Sequence, residues 1–303
     1  MNEYENIRPP QRLLAFDTAT SSLAVAVLEG GRVLAERNIH AERNHSAYLV
    51  TAIGDCLKAA GLAKRDLNGI AVGIGPGSYT GIRIAVTTAK TLAWSLRLPV
   101  YGVSSLAALA LGGWAGASGQ DAAALGELAA RQGAPAGLSR PATAAAGGDG
   151  AEATVTGAAA EGRRATAGGH WIAPLIDARR GQAYSALLRV PAPGGLPERL
   201  EPDAIRLMDG WADELMRQLE QLSPDERPAR LWFVGETEKH EAAIAPLTAA
   251  FGELVQLVPY ELEGAWMGIA GLARAGLPAD DVHALEPNYT QLAEAEAKRL
   301  RNA

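Results

Sequence analysis

Residues 69–94 constrain this chain most, because a short apolar strand stops at a turn that few residues can make and a helix begins at once. Residues 70–74 read Ile-Ala-Val-Gly-Ile, which is typical of a buried strand in a parallel sheet. A Gly-Pro-Gly turn at residues 75–77 breaks the strand, and Ser78 or Thr80 can cap the following helix. A strand, a tight turn and a helix in this order predict an α/β fold.

The same turn lacks the sequence of a known nucleotide-binding loop. In a Walker A loop the second glycine is followed by Lys and then Ser or Thr, whereas here Gly81 is followed by Ile82 and Arg83. The glycine spacing does not match the dinucleotide-binding fingerprint either. Two interpretations stay open at this point: a strand-to-helix turn without a ligand, or a helix N-terminus that faces an anion.

The predicted order of strands and helices occurs twice. Residues 13–111 predict the order β-β-β-α-β-α-β-α, and residues 171–290 repeat it with a weaker third strand. Asp17 and Asp177 end the first strand of each copy. We therefore predict two duplicated lobes, each a mixed five-stranded sheet with flanking helices. The last helix or the tail is a candidate to pack back on the first lobe.

The segment between the lobes, residues 112–170, is rich in alanine and glycine. Residues 141–160 alone contain nine alanines and four glycines. Such a composition buries too little apolar surface to offset the ordering of the backbone, about 1–2 kcal/mol per residue. We expect a mobile low-complexity insertion in which residues 125–131 form a helical turn or two. Residues 1–12 are predicted to be a polar leader, and residues 291–303 a charged tail.

Charge and cysteine content exclude some classes of function. With 28 basic and 34 acidic residues, the formal net charge is -6, which argues against nucleic-acid binding by the net field of the chain; a local basic patch stays open. Cys56 is the only cysteine in the sequence, which excludes an internal disulfide and a cysteine-based zinc site. The N-terminus is polar and no run is long enough to span a bilayer, so we expect a cytoplasmic protein without membrane contact.

Five short motifs narrow the α/β class to one family. They are residues 16–20 (Phe-Asp-Thr-Ala-Thr), Asn44-His45-Ser46, residues 73–83, Val103-Ser104-Ser105-Leu106 and Asp177-Ala178-Arg179-Arg180. Together with the duplicated lobes, they closely resemble the TsaB (YeaZ) family, accessory proteins of tRNA threonylcarbamoyladenosine biosynthesis. This TsaD-like family belongs to the actin, sugar-kinase and heat-shock chaperone (ASKHA) superfamily, so the resemblance implies ribonuclease-H-like lobes. It is dense over residues 13–109 and looser over residues 172–295.

The resemblance implies a scaffold protein without chemistry of its own. In the family, TsaB pairs with the threonylcarbamoyltransferase TsaD, the ATPase TsaE joins them, and tRNA is an indirect partner. The resemblance implies no catalytic residue, no metal and no cofactor for this chain itself, and it restricts ATP or ADP and a metal to the joint with TsaD. His40 and His45 agree with this, because they are five residues apart, whereas the metal-binding histidines of TsaD are one helical turn apart.

The family's partner surface lies on the two long helices of the first lobe, here residues 46–60 and 80–94. The candidate interface residues are Leu49, Ile53, Ile82, Ala85, Val86, Ala89 and Ala93. The alternative is that they face their own sheet; we expect the small residues to point outward and the β-branched ones to divide between the two sides. A homodimer through the same helices stays open. Tyr289, in a motif similar to the family's Pro-x-Tyr, either anchors the tail on a lobe or contacts a partner.

A second set of residues marks the place where related proteins hold a nucleotide. For this chain they are candidates for vestigial nucleotide contacts or tRNA contacts: Asp17, Thr18, Gly75, Gly77, Ser78, Arg83, Asp177, Arg179 and Arg180. Sugar kinases have glycine after the aspartate of the first strand, whereas the side chains of Thr18 and Ala19 crowd an approaching phosphate.

Asp17 and Asp177 each have a second interpretation. Asp17 can accept hydrogen bonds from Thr18, Thr20 or Ser21 and so stiffen its turn, and the Asp177 turn can be a solvated turn with a local ion pair. If the two carboxylates instead share magnesium, the alternative function is an ATP-dependent phosphotransferase or ATPase.

Overall fold

The computed structural model describes residues 12–40, 45–132, 169–191 and 195–290. The strands of the first half are β1 (Arg12–Asp17), β2 (Ser22–Glu29), β3 (Arg32–His40), β4 (Gly69–Gly73) and β5 (Val100–Val103). Those of the second half are β6 (His170–Arg179), β7 (Gln182–Val190), β8 (Glu198–Leu207), β9 (Arg230–Gly235) and β10 (Val255–Pro259). The helices are α1 (His45–Ala59), α2 (Tyr79–Leu96), α3 (Ser105–Ser118), α4 (Ala122–Gln132), α5 (Met208–Gln221), α6 (Glu241–Phe251) and α7 (Gly264–Arg274).

The two halves have the same sheet topology. The strand orders are β3-β2-β1-β4-β5 and β10-β9-β6-β7-β8. Strands β6 to β10 therefore have the same neighbours in the second sheet as β1 to β5 have in the first. In each sheet the first three strands are antiparallel, and the first strand pairs in parallel with the fourth. The predicted pair of duplicated lobes with mixed five-stranded sheets is confirmed.

Each sheet is covered on its outer face by helices of its own lobe. Helices α1 and α2 pack on the first sheet, and α5 and α6 pack on the second. The inner faces of both sheets meet a shared central layer, in which α7 contacts the first sheet and α3 contacts the second. Helix α3 of the first half therefore packs on the second sheet, and α7 of the second half packs on the first. The buried residues of α3 run without interruption from Ser105 to Ala115, as expected for a helix enclosed on all sides.

The prediction of an insertion from residue 112 onward is wrong for residues 112–132. Residues 112–118 belong to α3, where Trp114 is only 1% exposed, and α4 follows with Leu125 and Ala129 buried. Small residues at this point allow close packing instead of disorder: a Cβ on Gly113 would lie 2.1 Å from Cγ1 of Val234. The rest of the predicted insertion, residues 133–168, lies outside the described residues, as do most of the leader and the tail.

The chain after α7 runs back across the first lobe. The amide of Asp280 donates to the carbonyl of Val100 at 2.9 Å, and the Lys90 ammonium donates to the carbonyls of His283 and Leu285, both at 3.0 Å. Leu285 is 1% exposed and packs in the core under α2. This C-terminal strap, residues 280–290, thus joins the end of the second half to the outer helices of the first.

In the part of the chain that the structure describes, no helix combines the length and apolar character needed to cross a membrane.

Candidate functional site

A cleft of about 970 Å³ lies between the two lobes. The first lobe lines it with the β1–β2 turn and the first turn of α2, and the second lobe lines it with the ends of β6, β9 and β10. Four residues of the predicted vestigial site line this cleft: Gly77, Ser78, Asp177 and Arg179. Five do not: Asp17, Thr18, Gly75, Arg83 and Arg180. The structure therefore brings together only part of the predicted site.

Asp17 ends β1 but points into its own lobe and is fully buried. Its carboxylate accepts hydrogen bonds from the Ala19 amide at 2.5 Å and from the Ser105 hydroxyl at 2.5 Å. Burial raises the pKa of Asp17, and the two hydrogen bonds oppose that shift. The carboxylate joins the turn after β1 to the start of α3.

The donors to Asp17 differ from those that the sequence suggested. None of Thr18, Thr20 and Ser21 donates a side-chain hydrogen bond to it within the described residues. The Thr18 hydroxyl instead donates to the carbonyl of Gly81 at 2.7 Å, in the first turn of α2. Thr18 therefore attaches the β1–β2 turn to α2.

The glycines of the turn allow two segments of this chain to approach each other. The amide of Ser78 donates to the carbonyl of Ala19 at 2.7 Å. A Cβ on Gly77 would lie 2.3 Å from the Ala19 carbonyl oxygen, and a Cβ on Gly81 would lie 1.9 Å from that of Thr18. The start of α2 thus rests directly on the β1–β2 turn. These residues do not fit a magnesium nucleotide bridging Asp17 and Asp177, because Asp17 is closed off from the cleft.

Asp177 is bound by groups of its own lobe. Its carboxylate accepts hydrogen bonds from the Arg179 amide at 3.0 Å and the Lys239 ammonium at 3.2 Å, and Nε2 of His240 lies 3.6 Å away. Lys239 also donates to Glu236 at 2.8 Å, and this hydrogen bond raises the pKa of Lys239. Burial lowers the pKa of His240. This network matches the interpretation of a turn with a local ion pair.

Arg179 and Arg180 sit at the tip of the β6–β7 hairpin. Both are exposed, and their φ angles of 66° and 54° place them in the left-handed region, followed by Gly181 at 74°. Carboxylates outnumber the basic residues that line the cleft: Asp177, Glu236, Glu238 and Glu261 against His40, Arg179 and Lys239. This balance does not favour a phosphate ligand in the cleft.

Within the described ranges, no three His, Cys, Asp or Glu side chains are grouped to hold a metal ion.

The predicted interface residues are buried in their own lobe, so that prediction is wrong. Each is between 0% and 3% exposed: Leu49, Ile53, Ile82, Ala85, Val86, Ala89 and Ala93. They pack with residues of β1, β2 and β4 in one core. Small side chains bring α2 close to the sheet, so the alanines face inward and not outward.

The other side of α1 and α2 is exposed, and we call it the outer helical face. It includes Ser46, Ala47, Val50, Thr51, Tyr79, Thr80, Arg83, Thr87, Thr91 and Trp94, and farther along α1 the charged residues Asp55 and Lys58 are also exposed. A groove of about 440 Å³ runs between the two helices within this face. The α2 residues Tyr79, Arg83, Thr87 and Thr91 follow each other every four positions, so they form one stripe along the helix.

Exposed large hydrophobic side chains concentrate on these two helices. The described residues include six of them: Tyr48, Val50, Tyr79, Trp94, Leu207 and Tyr289. Four are on α1 or α2, and the Tyr289 ring lies 5.3 Å from the Tyr79 ring at an interplanar angle of 31°. Tyr289 therefore packs on the first lobe and, at 49% exposure, also extends its exposed surface. A solvent-exposed cluster of this kind is typical of a protein-binding surface.

Sequence reasoning missed Val50, Tyr79, Thr87 and Trp94. Helical periodicity could have predicted them. The buried residues of each helix form one stripe, so large residues that do not belong to this stripe must point away from the sheet. A helical projection of α2 puts Tyr79 and Trp94 on the side opposite Gly81 and Ala85.

Comparisons with known proteins agree on one family. The tRNA threonylcarbamoyladenosine biosynthesis protein TsaB of Bacillus subtilis (strain 168) is 32% identical over 290 residues, which cover 96% of this chain and 98% of that protein. The TsaB protein of Escherichia coli (strain K12) is 41% identical over 106 residues, 34% of this chain and 44% of that protein. The family model of TsaD, tRNA N6-adenosine threonylcarbamoyltransferase, matches residues 34–124.

A solved structure supports the fold. YeaZ from Pseudomonas aeruginosa aligns with a TM-score of 0.59 at 22% identity, covering 92% of this chain and 99% of that one. The match to the TsaD model runs from β3 to the first residues of α4, in the half that carries the outer helical face.

Proposed function

Since this chain belongs to the TsaB family of tRNA threonylcarbamoyladenosine biosynthesis proteins, we propose that it is an accessory subunit that docks a TsaD-type transferase through the outer helical face. In this proposal the TsaE-type ATPase joins the pair, and the transferase is the subunit that contacts tRNA. The chain contributes a surface to the reaction, and the transferase contributes the chemistry.

One observation carries the proposal: the concentration of exposed apolar side chains on α1, α2 and the end of the C-terminal strap. Val50, Tyr79 and Trp94 are 66%, 61% and 68% exposed, although each carries a large apolar surface that water solvates poorly. A stable interface needs an apolar centre within a rim of polar groups, and the threonines of α2 supply such polar neighbours. The face therefore has the composition of a docking surface.

The arrangement around Asp17 supports an accessory role. A carboxylate that shares a metal ion or a nucleotide with Asp177 would have to face the cleft, but Asp17 instead holds the β1–β2 turn and α3 together. The alternative of an ATPase that uses Asp17 and Asp177 has no comparable support.

A test in cells separates these two functions. Depleting this protein should lower the threonylcarbamoyladenosine content of tRNA, and the wild-type gene should restore it. We expect Asp17→Asn to restore it as well, because the substitution preserves the shape of the buried group. Failure of Asp17→Asn at normal protein level, together with ATP turnover by the purified wild-type chain that this variant lacks, would support the ATPase instead.

The docking surface is tested in the same cells with a matched pair of variants. Thr87→Arg adds a large charge in the middle of the outer helical face, whereas Thr248→Arg adds one on the exposed side of α6 in the other lobe. We expect Thr248→Arg to restore the modification and Thr87→Arg to fail. Equal restoration by both variants would remove the outer helical face from the proposal.

A further inference from the structure

Among the described residues that line the groove between α1 and α2, Arg83 is the only charged one, and its side chain is held in place by a neighbour. Its Nη1 donates to the Tyr79 hydroxyl at 2.6 Å, and its guanidinium carbon lies 5.2 Å from the centre of the Tyr79 ring. No ion pair among the described residues involves Arg83. The cation is thus oriented by Tyr79, and within the described ranges no carboxylate pairs with it.

The described residues that line the groove provide no counter-charge for Arg83. Those that line the groove with it are uncharged: Ser46, Leu49, Val50, Tyr79, Thr80, Ile84, Thr87 and Thr88. When a partner covers this groove, the guanidinium loses water on its exposed side. Removing an unpaired charge from water is costly, and an opposing carboxylate with good geometry compensates for that cost.

The C-terminal strap holds Tyr79, the aromatic residue that orients Arg83, in place. The amide of Asn288 donates to the carbonyl of Ile74 at 2.8 Å, and this places the next residue, Tyr289, against Tyr79. Tyr79 is thereby held between Tyr289 and Arg83. A side chain that is oriented before binding loses less conformational freedom when the complex forms.

We propose that Arg83, oriented by Tyr79 and Tyr289, is the electrostatic anchor of the docking surface. It binds a carboxylate on a surface of the transferase that is otherwise apolar. The inference rests on the proposed function and specifies the chemistry of the partner: an apolar helical ridge for the groove, with an aspartate or glutamate that reaches Arg83. Tyr79 and Tyr289 are positioning residues in this arrangement.

The test measures the affinity for the purified TsaD-type transferase from the same organism as salt is raised from roughly 0.05 to 0.5 M. We expect Arg83→Ala to weaken binding about 30-fold at low salt, the effect of a hot-spot residue, and to flatten the salt dependence. Arg83→Lys keeps the charge, so it should keep the salt dependence while losing part of the affinity. Arg65→Ala removes an exposed arginine outside this face and should bind as wild type does.

Two outcomes overturn the anchor without affecting the proposed function. One is that Thr87→Arg abolishes binding while Arg83→Ala binds as wild type does with the same salt dependence. The other is that the isolated chain self-associates in an Arg83-dependent way and Arg83→Ala leaves transferase binding intact, because the carboxylate then belongs to a second copy of this chain. If Thr87→Arg itself binds normally, the proposal of the docking surface is wrong, and the proposal of the anchor is wrong with it.

Tyr289→Ala should reduce the affinity for the transferase less than Arg83→Ala does, and a larger loss would contradict the positioning role of Tyr289.

Discussion

Asp17 couples the stability of this protein to pH through one buried carboxyl group. Burial raises its pKa in the folded state above the ordinary value of 3.8. As pH rises past that ordinary value, the unfolded chain loses the proton first, so the free energy of unfolding falls until the pH passes the folded-state pKa. Asp17→Asn cannot ionise, and its amide can still engage Ala19 and Ser105.

We therefore expect the melting temperature of Asp17→Asn, relative to wild type, to rise over the range that begins at the ordinary pKa of 3.8 and extends to higher pH. Thermal melts of both proteins across this range provide the measurement. A difference that stays constant, or that becomes smaller at higher pH, would show that the carboxyl group ionises in the folded state as readily as in the unfolded chain.

Ala89 belongs to the core of the first lobe and not to the docking surface. Its side chain is 0% exposed, so Ala89→Arg forces a charge and a large volume between α2 and the sheet. We expect a loss of at least about 3 kcal/mol in the free energy of unfolding, measured by urea denaturation. The neighbouring Thr87→Arg should change stability by less than about 0.5 kcal/mol. A stable Ala89→Arg variant would contradict the observed packing of α2.

At the level of elements, helix α3 contains two glycines with opposite surroundings. A Cβ on Gly113 would lie 2.1 Å from Cγ1 of Val234, whereas nothing lies within 4 Å of a Cβ on Gly116. Gly113→Ala should therefore destabilise the protein by about 1–3 kcal/mol through overpacking. Gly116→Ala should stabilise it by up to about 1 kcal/mol through helix propensity. Urea denaturation of the two variants gives the comparison, and equal effects would mean that α3 is not enclosed between the sheets.

Outside residues 112–132, the sequence was sufficient to predict the order and approximate bounds of the described strands and helices. Residues 13–16 and 23–28 are apolar runs next to turn residues, and Ser78, one of the two predicted caps of α2, is its N-cap. It was not sufficient to predict which side of α2 faces outward. Both sides contain residues that can pack, and only the position of the sheet decides between an alanine stripe and a stripe of Tyr, Arg and Thr.

The same limit applies to the predicted site and to residues 112–132. The pairing of Asp17 with Ser105 joins positions 88 residues apart, which local sequence patterns do not report. Alanine and glycine in α3 resemble a low-complexity segment in sequence, yet they allow the close approach that the central layer requires. Composition alone does not distinguish a disordered segment from a tightly packed helix.

At the level of the whole molecule, the shared central layer should make the two lobes unfold together. The Ser104 hydroxyl of the first lobe donates to Asp203 of the second at 2.7 Å, and Asp203 also forms a buried ion pair with Arg199. Asp203→Ala leaves Arg199 buried and unpaired, so we expect a loss of about 3–5 kcal/mol with a single cooperative transition. Calorimetry provides the measurement. Two separate transitions in the wild-type protein would contradict a common core.

The central claim is that this protein acts by docking a transferase on the outer helical face. Calorimetric titration of the purified TsaD-type transferase of the same organism into wild type, Thr87→Arg and Thr248→Arg tests it most directly. We expect wild type and Thr248→Arg to bind alike, and Thr87→Arg to bind at least about 100-fold more weakly, because a buried unpaired charge destabilises the complex. Equal binding by all three proteins, with each variant folded, would contradict the claim.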